Sequence, residues 1–423
     1  MKSLHKIILF ALLPLMGACS GMLDIEPHSA VSPTVVGSDD IEALRIGMYN
    51  KVQEGPTYYS YIAFDLFGGE LMTSTGRPID LINSLSNALH TFVSSQWNGY
   101  YKALLQVNNV MSIAEGLADS PTRNRVLGEC RYFRAYIYLC LVTRFGDVPV
   151  LRQNTQAKVS RDPASMAWEL VEEDLDAASG FLNGLSADSF YYVSPAAVTA
   201  LKARVKLYLG KKGEAKELAE SLITNPNYAL DDFDKIFRSK ANKEVIFAFS
   251  CLTEDGSSIK ISNQFYSYNH PNKGSYNYRP AGDVMTMYAD NDLRKEVSIT
   301  TLDNLNFVNK YPSGQTGSDP VVISRLAEMY LISAEAQGLN GGLDRLNELR
   351  EKRGLDRVSP GERSRFSRRG ASGAPSGVPR RGFPLVRPRA DRKGYADARH
   401  EGLPMPDAAS EPGVALQSEP QTE

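Results

Sequence analysis

The stretch from Arg131 to Val150, RYFRAYIYLCLVTRFGDVPV, constrains the fold of this chain more than any other segment. Phe133, Ile137, Tyr138, Cys140 and Leu141 recur at helical spacing and call for a buried helix. That helix must stop at Phe145-Gly146-Asp147. Gly146 can take the left-handed backbone that closes a helix, and Pro149 lacks the amide proton needed to continue one.

Other blocks follow the same period. Ile41, Leu44, Met48, Tyr49 and Val52 share one face of a predicted helix, with Asp39 and Glu42 spaced as in a capping box. Trp97, Tyr100, Tyr101, Leu104, Val107, Met111 and Ala114 predict a long helix that pairs with it. Ser194 with Pro195 opens a further helix ending at Leu209-Gly210, and Ala215, Leu218, Ala219 and Leu222 line the next. Arg325 to Leu355 repeats that arrangement, with Leu326, Met329, Tyr330, Ile332, Ala334 and Ala336 on one helix and Leu343, Leu346, Asn347 and Leu349 on the other. Small residues at Ala-x-x-x-Ala spacing let helices approach closely, as in tetratricopeptide-type pairs. A long stretch separates the two pairs, which speaks against a contiguous array. The expected fold is therefore mainly α: tetratricopeptide-like helix pairs forming a scaffold, with long loop insertions and minor β content.

Two segments stand outside the helical pattern. Glu244 to Cys251 (EVIFAFSC) reads as a short strand. From Ile259 to Pro280, Phe265, Tyr266, Tyr268, Tyr276 and Tyr278 alternate with Ser, Asn, Gly and Lys, which predicts a polar loop.

These segments together resemble the SusD/RagB family, the surface nutrient-binding lipoproteins of Bacteroidetes. The resemblance rests on Arg131-x-x-Arg134-Ala135-Tyr136 followed by Phe-Gly-Asp-Val-Pro, and on Arg325-Leu-Ala-Glu with Ala334-Glu-Ala. It extends to Leu346-Asn347 leading into Arg350, Arg353 and Gly354, and to Trp97, Tyr101 and Asn108 on the long helix. It covers about residues 15 to 357. It implies a protein that captures a glycan or other oligomeric nutrient, performs no covalent chemistry, and hands its ligand to a SusC-like TonB-dependent transporter.

The amino terminus agrees. Lys2 and Lys6 precede a mostly apolar run from Ile7 to Met16, too short for a permanent span. Leu15-Met16-Gly17-Ala18-Cys19 looks like a lipobox, so residues 1–18 are expected to be a lipoprotein signal peptide and Cys19 the lipidated residue. Acyl chains would anchor the protein to the outer membrane, at the cell surface, without a transmembrane helix. Cys130, Cys140 and Cys251 remain, and an odd, sparse set argues against a disulfide framework. Cys130 and Cys140 are about 15 Å apart along one helix and cannot bond to each other. All are expected to be buried small hydrophobes.

A search for catalytic chemistry finds little. Gly-x-Ser-x-Gly, a phosphate-binding glycine loop and His-Glu-x-x-His are absent from the sequence, and no cofactor or metal is expected. Glu172 and Glu173 are expected on a solvated helix face, and Asp290-Asn291-Asp292 as a cap and turn. With Lys+Arg 47 and Asp+Glu 49, the net charge of −2 gives no reason to expect nucleic acid.

Binding is the better fit to the residues. Sugar faces stack on aromatic rings while their hydroxyls need fixed polar partners. Two places have that chemistry: the loop from Tyr58-Tyr59-Ser60-Tyr61 through Arg77 and Asp80 to Trp97-Asn98, and the insertion with Tyr266, Tyr268, Tyr276 and Tyr278. The structural alternative for Trp97 and Trp168 is helix packing. For the insertion's tyrosines it is a partner-contact surface. Competing functions for the whole chain are a tetratricopeptide-like scaffold for envelope proteins that binds no nutrient, and a hydrolase.

From Val358 the character changes. Arg363, Arg365, Arg368, Arg369, Arg380 and Arg381 crowd among Pro, Gly, Ser and Ala without apolar periodicity. Residues 358–423 are expected to form a tail without a packed core, leaving 19–357 as the binding domain. The family normally continues with a phrase like RWFDLVR. Allowed codons for Phe383 to Arg392 (FPLVRPRADR), read one nucleotide later, spell FRWFDLVRTG. The tail is therefore expected to be a frameshift product, and genomic codons incompatible with that phrase would exclude it.

Overall fold

A computed structural model describes residues 40–74, 91–238, 241–251 and 259–359. The expected signal peptide, Cys19, Arg77, Asp80 and the tail from Pro360 lie outside the described residues.

The amino-terminal third is a set of helices around the Arg131 block. Helix α1 (Ile41–Glu54) buries Ile41, Met48, Tyr49 and Val52, as its spacing predicts. The capping box expected from Asp39 and Glu42 falls on Asp39, which lies outside the described residues; Glu42 pairs with Arg45. Helix α2 (Tyr59–Gly68) leads into strand β1 (Leu71–Thr73). The long helix α3 (Thr91–Glu115) packs against α1. There the backbones meet at Gly55 and Gly99, and a Cβ on Gly99 would lie 2.1 Å from the Gly55 carbonyl oxygen.

Helix α4 (Pro121–Phe145) is buried on nearly every side between α3 and α5 (Ala164–Phe181). Ser120 caps it by accepting from the Arg123 amide, with Pro121 in the first turn. It ends at Gly146, whose φ is positive as expected (68°), while its ψ of −116° lies away from the left-handed helical value. The Asp147 carboxylate then accepts from the Ala164 amide at 2.9 Å and starts α5. Val148 bridges Asp162, closing the intervening loop.

Four further long helices and small two-stranded β pairings complete the described scaffold. Ser194 caps α6 (Pro195–Tyr208) at the Ala197 amide, and α7 (Lys212–Ile223) packs back on it through Ala215, Ala219 and Leu222. Strand β2 (Val245–Phe249) and strand β6 (Val321–Arg325) pair antiparallel and are buried throughout. Between them lie β3 (Tyr278–Pro280), which pairs with β1, and the hairpin of β4 (Ile299–Leu302) and β5 (Leu305–Val308). Helix α8 (Leu326–Gly341) packs on both α7 and α6, and α9 (Leu343–Lys352) on α8. The two helix pairs that are distant in sequence thus stack in space.

Buried arginine–carboxylate clamps cross-link these layers. Arg134 meets Asp174 through two bonds of 2.7 and 2.8 Å, joined by Arg131 at 3.0 Å. Arg134 also donates to the Arg152 carbonyl, fixing the loop after the helix. Arg45 holds Glu129, Arg204 holds Glu328, and Arg353 holds Glu244 at 2.5 Å. Bidentate guanidinium–carboxylate geometry is what makes such charges tolerable away from water. Cys130, Cys140 and Cys251 are free and buried, as expected. Trp168 is half-buried, with its ring 5.9 Å from that of Tyr208.

Candidate ligand-binding face

The β1–β3 pairing brings the two sequence-predicted places together. Leu71–Thr73 runs antiparallel to Tyr278–Pro280, and the Ser74 amide donates to the Asn277 carbonyl at 3.0 Å. An aromatic chain runs on from this pairing: Tyr278 lies 6.3 Å from Tyr58, Tyr58 lies 4.4 Å from Tyr59, and Tyr59 lies 4.9 Å from Phe92. Burial raises the Tyr58 phenol above its ordinary value, reinforced by Tyr59 and Tyr278.

Farther along α3, Trp97 is half-buried and Asn98 is exposed. The indole packs 5.0 Å from Tyr101 and edge-on to Phe145 at 5.1 Å. Tyr101 is tied by its hydroxyl, which donates to the Pro149 carbonyl. The Phe145-Gly146 turn, read from sequence as a helix stop, thus also supports the back of Trp97. The aromatic character of position 145 was the available signal, but helical spacing does not say which way a terminal ring turns.

The insertion corrects the expectation of an open polar loop with four presented tyrosines. Tyr266 is wholly buried, stacks with Phe307 and His270, and donates its hydroxyl to Asn309. Tyr278 is buried at the β1–β3 pairing. Tyr276 is half-buried, with its ring 5.2 Å from Phe307 and its hydroxyl donating to the Asn306 carbonyl at 3.1 Å. Tyr268 alone of the four is open, at 73% exposure. The reason is the β4–β5 hairpin, whose Phe307 is the hub on which Tyr266, His270 and Tyr276 pack. Burial pushes the Tyr266 phenol up to about 12 and holds the His270 imidazole below its ordinary value.

The acidic residues weighed for catalysis are engaged in ion pairs. Glu173 is held below the usual carboxylate range by Arg152, which bonds both its oxygens at 2.7 Å. At Glu172 partial burial works the other way, and the hydrogen bonds from Lys206 and Lys211 outweigh it. Asp292 accepts from the Arg294 amide and side chain, the expected turn. Among the described residues no group of three His, Cys, Asp or Glu side chains could hold a metal ion. No helix among them is long and apolar enough to cross a membrane.

Residues 22–209 match the model of a SusD-like family described as starch-binding and associating with the outer membrane. Several solved structures share the fold. One is a SusD superfamily protein from Bacteroides thetaiotaomicron, 20% identical, covering 86% of this chain and 88% of that one, with a TM-score of 0.68. NanU from B. fragilis is 21% identical, covering 91% and 90% of the two chains, with a TM-score of 0.68. Surface glycan-binding protein A from Bacteroides fluxus is 19% identical, covering 79% and 85%, with a TM-score of 0.65. No functionally curated protein matches the chain in sequence.

Proposed function

We propose that this chain is a member of the SusD/RagB family, a reading supported by the family match over residues 22–209 and by its fold, and that it captures an oligomeric nutrient, foremost a glycan, at the outer membrane. In this reading residues 1–18 are a signal peptide, Cys19 carries the lipid anchor, residues 19–357 form the binding domain, incomplete at its C-terminal end, and 358–423 are the product of a frameshift. The ligand passes to a SusC-like TonB-dependent transporter, and no covalent chemistry occurs.

One observation carries the reading. The β1–β3 pairing and the ring contacts from Tyr278 through Tyr58 and Tyr59 to Phe92 link the insertion to the start of α3. Trp97, Asn98 and Tyr268 offer the ring surface and polar groups accessible there, with Arg77 and Asp80 as further ligand contacts. Tyr266, Tyr276 and Tyr278 act behind that surface, holding its shape through Phe307 and Tyr58.

A glycan panel tests this directly. Trp97→Ala and Tyr268→Ala should each weaken binding roughly fivefold to tenfold, in keeping with one lost ring contact. Unchanged affinity in both variants excludes this face. A TonB-dependent transporter that co-purifies with the chain supports delivery, whereas envelope proteins without a transporter favour the scaffold reading.

A further inference from the structure

The insertion differs from the rest of the chain in charge as well as in aromatic content. The whole sequence balances Lys+Arg 47 against Asp+Glu 49. From Ile259 to Gly282, however, Lys260, Lys273 and Arg279 occur with no Asp or Glu at all. His270 adds no opposing charge, since its Nδ1 accepts from the Asn272 amide at 3.0 Å. Helix α3 has the same bias, with Lys102 its one cation and no acid before Glu115 at its last residue.

Arg279 is the best placed of these cations. It lies at the centre of β3 opposite Met72 of β1. Its neighbours Tyr278 and Pro280 point into the core, so by the two-residue period of a strand Arg279 points to the other face. It is half-buried there, beside Tyr276, and no carboxylate among the described residues pairs with it. Lys273, exposed on the same insertion, also has no ion pair among them. Arg45, Arg131, Arg134, Arg204 and Arg345 of the scaffold are each matched with a carboxylate, whereas half-buried Arg144 is satisfied by Gln96 and two backbone carbonyls; Arg279 has neither kind of partner among the described residues. A planar guanidinium kept partly from water and left unmatched is suited to a bidentate anion.

We propose that the ligand of this face is an anionic glycan, one carrying carboxylate or sulfate groups, and that Arg279 is a residue that recognises the anionic group, with Lys273 adding to the local field. The inference rests on the glycan-capture reading and narrows it. Rings such as Tyr268 supply contact with the sugar, and Arg279 supplies discrimination against neutral chains of the same shape.

The test uses the full chain and compares sodium polygalacturonate with its fully methyl-esterified form, which keeps the backbone and removes the charge. Chondroitin sulfate and dextran sulfate report on sulfate, dextran on neutral glycan, and poly-glutamate on acidic polypeptide. The expected result is at least tenfold tighter binding of a carboxylated or sulfated glycan than of its neutral counterpart, weakening as salt is raised. Arg279→Gln should lower that affinity about tenfold, the scale of one lost charge-assisted contact. Lys212→Gln on α7 makes the same change in net charge and should leave binding unaltered, and thermal unfolding should be the same in both variants. Equal binding of charged and neutral glycans, or equal effects of the two substitutions, overturns the anion assignment and leaves glycan capture standing. Binding of poly-glutamate as tight as that of any anionic glycan overturns the ligand class. If no glycan in the set binds, glycan capture and this inference fall together.

Discussion

The helical scaffold and the aromatic insertion solve the same problem of burying polar chain in different ways. In the scaffold, several buried charges are matched in pairs: Arg134 with Asp174, Arg45 with Glu129, Arg204 with Glu328. In the insertion, order comes from rings around Phe307, from backbone bonds such as Tyr276 N–H to the Tyr266 carbonyl, and from Lys273 and Tyr276 held at positive φ. Matched charges lock a scaffold but leave nothing for a ligand. A region ordered by rings and backbone keeps its remaining cations available.

The largest effect should come from breaking a scaffold clamp. Asp174→Ala leaves Arg131 and Arg134 without their carboxylate and should cost about 3–5 kcal/mol in urea unfolding. A loss below about 1 kcal/mol would mean that the clamp contributes geometry only. Next, Phe307→Ala should destabilise the insertion by about 3 kcal/mol through the cavity it leaves. Hydrogen exchange should then rise in residues 266–278 while α4 stays protected, and uniform loss of protection would show that the two regions unfold as one.

Smaller changes probe local devices. Asp147→Ala removes the cap at the Ala164 amide and should cost about 1 kcal/mol, read as a lower thermal midpoint. The mildest test is pH. Burial depresses the folded value of His270, so its contribution is fully present above the unfolded value of about 6.5 and is lost as pH falls through the lower folded value. Protonation also removes the acceptor used by the Asn272 amide. Exchange in residues 270–276 should therefore rise between pH 7 and pH 5, and His270→Phe should flatten that dependence.

Most of the fold was legible from local signals. Ser194 and the Gly146 stop mark helix ends because capping is chemistry between near neighbours. In the candidate site, Trp97, Asn98 and Tyr268 sit where a ligand could reach them, whereas Tyr266 and Tyr278 are core. Alternation of aromatic and polar residues looks alike in an open loop and in a segment covered by a distant hairpin.

By itself, then, the sequence determined the helices and many of their ends, because periodicity and capping act over a few residues. Only the tertiary structure decided which arginines are matched and which tyrosines are covered. Asp174 lies 40 residues from Arg134, and Asn306 lies 30 from Tyr276. Whether a charge or a ring faces water depends on such distant partners, and no local pattern encodes them.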